Sequence, residues 1–171
     1  MQEQVSTARV ALKYGVITSV ASIVYSTLLM VLGQNQNQAL GALGFVILVA
    51  GIVFAMRDYR EQNNGFMTYG QGLGIGSLIA AIVGVIGSLF TMFYIQFIDN
   101  TIIRQSIDKA RSDMEARGMD DSQIDQAMEI TEKFMTPGVM FLVQVLTYLF
   151  IGFIISLILA AILRKDKPVF E

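Results

Sequence analysis

Four long apolar runs, residues 12–32, 39–56, 72–98 and 139–163, alternate with polar connections along this chain. At about 1.5 Å rise per residue, each run can cross a hydrocarbon layer of roughly 30 Å as an α-helix. The third would measure about 40 Å as a helix, so it is expected to tilt or to protrude through its end, residues 90–98. The one extended polar stretch, residues 99–136, carries nine of the fourteen acidic residues and separates the third run from the fourth. The pattern predicts an all-α integral membrane four-helix bundle with an extramembrane amphipathic helical hairpin between spans three and four.

Small residues are arranged within the runs at helical spacing. Gly15, Ser19, Ser22 and Ser26 share a face of span one, and Gly44, Gly51 and Ala55 lie near one side of span two. Span three carries the sharpest pattern, with Gly72, Gly76, Ala80, Gly84 and Ser88 recurring every four residues; span four repeats the device in Gly152, Ser156 and Ala160. In lipid, small residues let helix backbones approach closely where apolar bulk gives no preference for protein over acyl chain. These eight residues of spans three and four are the candidate helix-packing positions. Internal packing and a homo-oligomer contact both account for them. Gly33 closes span one, and the short uncharged link after it predicts that spans one and two form an antiparallel pair.

The acidic stretch reads as two amphipathic helices joined at Gly118. Ile103, Ile107, Ala110 and Met114 fall on one face of the first, and Ile124, Met128, Thr131 and Met135 on one face of the second. Asp120 is placed to cap the second helix, with Gln123 reaching back and Met119 packing on Ile124. Pro137-Gly138 ends that helix and opens span four, with Thr136 the expected N-cap. The apolar stripe of Ile103, Ile107, Met114, Ile124, Met128 and Met135 is the candidate partner-binding surface, although a packing seam explains it more simply.

Charge sets the expected orientation. Four crossings place both termini and the second connection on one side, which gathers Arg9, Lys13, Arg57, Arg60, Arg164, Lys165 and Lys167 near span ends. Arg104, Lys109, Arg111, Arg117 and Lys133 lie in the acidic stretch on the other side. The excess of Lys and Arg predicts cytoplasmic termini and an outer, periplasmic hairpin in a bacterial inner membrane. The first run is read as a retained span, because it outlasts a signal-peptide core and no small-x-small cleavage site precedes the link at residues 34–38.

The residues so far assembled resemble an uncharacterised bacterial family of four-span integral membrane proteins, domain of unknown function 4199. The resemblance runs over most of the chain. It is carried by Ala11-Leu12-Lys13-Tyr14-Gly15, Arg57-Asp58-Tyr59-Arg60, Gly65-Phe66-Met67-Thr68-Tyr69-Gly70-Gln71, Phe134-Met135-Thr136-Pro137-Gly138 and Ala160-Ala161-Ile162-Leu163-Arg164-Lys165. It implies the four-span topology and brings no activity with it.

Composition narrows the chemistry. Of 171 residues 54% are hydrophobic and 15% charged, the net charge is −2, and there is no Cys and no His. No basic face is present for nucleic acid. The spans hold no Asp, Glu, Lys, Arg or His between 16–32, 39–56, 72–98 and 139–163, whereas ion-coupled transporters depend on such groups. Gln96, Gln144, Thr91 and Thr147 are the polar candidates for a pore lining, and interhelical hydrogen bonding explains them more simply. The glycines at 70, 72, 74 and 76 lack dinucleotide-fingerprint spacing and follow no strand. Asp120, Asp121 and Asp125 do not match an EF-hand loop, so no metal or cofactor is expected. Arg57, Arg60, Arg164, Lys165 and Lys167 are placed to attract anionic lipid headgroups, and Tyr14, Tyr59, Tyr69 and Tyr94 are read as interface anchors. The leading expectation is a non-enzymatic accessory or interaction component of the cell envelope, whose partners are the bilayer, a second copy of the chain, or an envelope protein at the hairpin. A small channel or passive transporter formed by an oligomer is the alternative.

Overall fold

The computed structural model describes residues 5–167. They form six α-helices: α1 (Thr7–Val31), α2 (Gln38–Gln62), α3 (Tyr69–Phe97), α4 (Thr101–Ala116), α5 (Asp121–Phe134) and α6 (Pro137–Leu163). Four of them, α1, α2, α3 and α6, are long and apolar enough to cross a membrane.

Local chemistry explains the helix ends. The Ser6 side chain caps α1, and Asn37 caps α2 by accepting from the Ala39 and Leu40 N–H groups. At the far end of α1, Gly33 takes φ +65° while its N–H bonds the Met30 carbonyl and the Gln34 N–H bonds that of Leu29. The same pair of bonds closes α4, where Gly118 at φ +76° follows Arg117 and the Met119 N–H reaches the Met114 carbonyl. A left-handed residue is needed at that place in both, and glycine takes it without a Cβ penalty. In α5 the capping box is complete: Asp120 accepts from the Gln123 N–H, and the Gln123 side chain accepts from the Asp120 N–H. Pro137 occupies the first position of α6, where its missing N–H costs nothing. Thr136 stands at the N-cap position of α6, where its carbonyl accepts from the Met140 N–H, and its hydroxyl donates back to the Lys133 carbonyl of α5.

The described residues divide into two compact units, one made of 5–87 together with 145–167, the other of Ser88–Gln144. α3 and α6 each contribute to both. The first unit is a bundle of α1, α2 and the adjoining parts of α3 and α6. Its core is built from Leu48, Ile52 and Met56 of α2 with Ile75, Ile79 and Val83 of α3. The outward faces are as apolar as the inward ones: Val16, Val20 and Val24 of α1 and Phe54 of α2 are exposed. An exposed apolar surface around most of each helix suits hydrocarbon rather than water, since the helices already satisfy their backbone groups internally.

The second unit contains α4 and α5, which pack on each other, and the adjoining parts of α3 and α6. Its two amphipathic helices are linked by an ion pair from Arg111 to Asp125 at 2.8 Å, and α5 carries a Glu129–Lys133 pair one turn apart at 2.9 Å. All four side chains are exposed, so each pair contributes well under about 1 kcal/mol. The packing of the apolar stripes dominates.

Candidate functional site

The α3 ladder meets the α6 ladder residue against residue, in antiparallel register. A Cβ added at Gly72 would lie 3.0 Å from that of Ala160, one at Gly76 would fall on the Ser156 hydroxyl, and one at Gly152 on the Ala80 methyl. At Gly84 the opposing atoms are the Tyr148 Cβ and the Val145 carbonyl. The Ser156 hydroxyl donates to the Gly152 carbonyl one turn back, which disposes of its polarity inside the seam. Ser88, the last member of the ladder, is buried in the second unit. Span one uses its small face in the same way, with Gly15 closed against Ile82 and Thr18 against Gly51.

A second cluster gathers four of the five segments on which the family resemblance is read, all but residues 134–138. Lys13 of α1 pairs with Asp58 of α2 at 3.0 Å, and Asp58 also accepts from Gln62. Two residues on from Asp58, about half a turn, Arg60 faces α6, where its Nη1 donates to the Leu163 carbonyl at 3.2 Å; a cation at a helix C-terminus is favoured by the backbone dipole. These partners explain why α2 continues through residues 57–61 to Gln62 instead of ending where the charges begin. The Arg60 Nε is buried without a hydrogen-bond partner. The connection that follows turns at Asn64 and Gly65, both at positive φ, and returns so that Met67 and Lys165 exchange two backbone hydrogen bonds of 2.9 and 2.8 Å. Met67 is wholly buried, and the Lys165 ammonium lies 5.8 Å from the Phe66 ring centre.

Beside this bridge lies a cavity of about 430 Å³, lined by Tyr59, Phe66, Met67, Thr68, Gln71 and the residues 165–167, among others. Nothing in the sequence pairs residue 67 with residue 165, because a backbone bridge has no side-chain signature. The cluster of aromatic and cationic residues at the span ends was the one available signal.

Two of the four tyrosines expected to anchor at the membrane surface are instead interior. Tyr59 is 2% exposed and Tyr94 8% exposed. Composition places an aromatic ring near a helix end but does not say which way the helix turns it. Tyr14 is half-buried with the Lys13 ammonium 4.9 Å above its ring, and Tyr69 is half-buried as well.

In the second unit, Ile124 and Met128 are buried and Ile103, Ile107, Met114 and Met135 are half-buried, so this stripe is largely occupied in packing. Ile130 and Phe134, one turn apart on α5, are exposed at 58% and 57%. Of the polar pore candidates, Gln144 donates to the Thr91 hydroxyl at 3.4 Å across α6 and α3, whereas Gln96 and Thr147 are exposed. The Asp120 carboxyl is held below the usual carboxylate range by the Ser122 hydroxyl and the Gln123 N–H, and that of Asp99 by the hydroxyl and N–H of Thr101. Asp120 caps α5, whereas Asp99 closes a turn onto Thr101 just before α4, whose N-cap Asn100 makes no side-chain cap bond. Among the described residues no three His, Cys, Asp or Glu side chains come together to hold a metal.

No curated protein and no solved structure matches the chain. A family model does match over residues 13–165, a span that takes in both the α3–α6 seam and the bridged cluster, and the chain belongs to that family, described as protein of unknown function (DUF4199).

Proposed function

We propose that the protein is a non-enzymatic accessory component of the cell envelope, held in the cytoplasmic membrane by its four spans, with the termini inside and the α4–α5 pair outside. The observation that carries this reading is the exposure of Ile130 and Phe134 on a helix that is otherwise acidic and soluble in character. A helix that buries Ile124 and Met128 yet leaves two large apolar side chains on its surface is suited to receiving a partner protein there. The distribution of Lys and Arg supports the orientation. The closed α3–α6 seam favours packing over a route through one protomer, since Ser156 and Ala80 fill the space opposite Gly76 and Gly152. Chemistry in the spans would rest on Ser, Thr and Tyr hydroxyls with no Cys or His in the chain and no carboxylate or amine within residues 16–32, 39–56, 72–98 and 139–163 to activate them.

The absence of native cysteine makes the test direct. Single cysteines replacing Ile130 or Phe134 carry a photocrosslinker in intact membranes, and one at Gln62 reports the other face. The expected result is a discrete protein adduct from residues 130 and 134, with label reaching those two positions but not 62 from outside. Adducts to lipid alone, or solute flux through reconstituted liposomes, would overturn the reading.

A further inference from the structure

We infer that the cavity beside the Met67–Lys165 bridge is a binding site for a phosphate-bearing anion, with Lys165 and Lys167 as its charged contacts. The cavity lies where α2 ends, α3 begins and the chain leaves α6, and its volume of about 430 Å³ suits a phosphate ester together with part of the group it is attached to.

Its lining is rich in donors. Thr68 and Gln71 cap the first turn of α3 reciprocally, the Gln71 Oε1 accepting from the Thr68 N–H at 2.9 Å and the Thr68 Oγ1 accepting from the Gln71 N–H at 3.3 Å. Those bonds use acceptor atoms only. The Gln71 amide hydrogens and the Thr68 hydroxyl hydrogen are left to donate to whatever enters. The same turn presents the positive end of a 29-residue helix.

The cations are positioned by the backbone rather than by chance. Two main-chain hydrogen bonds fix Lys165 to Met67, so its ammonium is delivered to the Phe66 edge of the cavity, and Lys167 follows two residues later. Among the described residues that line the cavity there is one carboxylate, Asp166, against two ammonium groups. The nearby Asp58 is already engaged by Lys13 and Gln62. Tyr59, Phe66 and Met67 supply an apolar wall, which suits the neck of an amphiphile. Phosphate chemistry can arrive here as a phospholipid headgroup or as a soluble phosphate.

The experiment separates those sources. Full-length protein in a lipid-free detergent is titrated with short-chain phosphatidylglycerol, with phosphatidylcholine of the same chains, and with inorganic phosphate, and binding is read by native mass spectrometry. Saturable binding of phosphatidylglycerol at one per chain is expected, weakened roughly 20- to 30-fold in K165A/K167A, about fivefold for each cation. The K165R/K167R variant should retain it, and Arg9→Ala, an exposed cation outside the cavity, should leave it unchanged. Displacement of the lipid by inorganic phosphate at low millimolar concentration supports the site and assigns it to a soluble phosphate. Equal binding of phosphatidylcholine, an equal loss in Arg9→Ala, or no saturable binding of either anion overturns the proposal.

Discussion

The Ala80 methyl on α3 sits against Gly152 on α6 with no room between the two backbones for another carbon. Replacing Gly152 by Ala is therefore expected to destabilise the first unit by about 1–3 kcal/mol through overpacking. Exchanging the methyl across the seam, as A80G with G152A, should recover most of that loss. Gly74, with open space where its Cβ would be, is the control, and Gly74→Ala should not destabilise. Thermal unfolding of the purified protein in detergent micelles reads all three.

The Met67–Lys165 bridge predicts a division of labour between two neighbouring residues. Met67 is wholly buried, and truncation to Ala should cost about 2–5 kcal/mol, whereas Met67→Leu keeps the volume and should cost less than about 1.5 kcal/mol. Lys165→Ala leaves both main-chain bonds in place and should change stability by no more than about 0.5 kcal/mol. Unfolding midpoints compared across the three variants check the ordering.

The six helices follow from features that are local in sequence. Run length and hydropathy give α1, α2, α3 and α6, while Gly118 and the Asp120-x-x-Gln123 pattern mark the turn between α4 and α5. Spacing of four also says which small residues share a face. It does not say which helix that face meets, so the encounter of Gly76 with Ser156 and Ile52 is a tertiary fact. The cavity was least legible of all. Its bridge is made by main-chain atoms distant in sequence, and Arg60 bonds a carbonyl rather than a side chain, so neither partner reveals the other. Tyr59 and Tyr94 went astray for a related reason: an amphipathic ring near a helix end suits the membrane surface and the protein interior alike.

At the α4–α5 turn, Gly118 has φ +76° and nothing within 4 Å of where a Cβ would lie. Substitution there tests conformation alone. Gly118→Ala should cost roughly 1–2 kcal/mol from the left-handed backbone, with Gly118→Asn costing less. Faster amide exchange at the end of α4 and the start of α5, with no change in α1 or α2, is the expected readout.

Asp120 supplies a pH dependence whose sign can be worked out. The Ser122 hydroxyl at 2.7 Å and the Gln123 N–H at 2.9 Å both favour the ionised carboxylate, so its folded-state pKa lies below the unfolded value of about 3.9. A depressed carboxyl contributes stability that is fully present above the unfolded pKa and is lost as pH falls through the folded one. The start of α5 should accordingly exchange its amides slowly at pH 6 and lose protection below about pH 4. Asp120→Asn keeps an oxygen that accepts from the same N–H but cannot titrate, so it should match the wild type near neutral pH and remove this residue's share of the acid loss. Asp99, held low by Thr101 in the same way, will still titrate in that variant, so the comparison is made on the amides of residues 121–124 alone. An unchanged acid profile at those amides in Asp120→Asn would show that the cap is not what the protons remove.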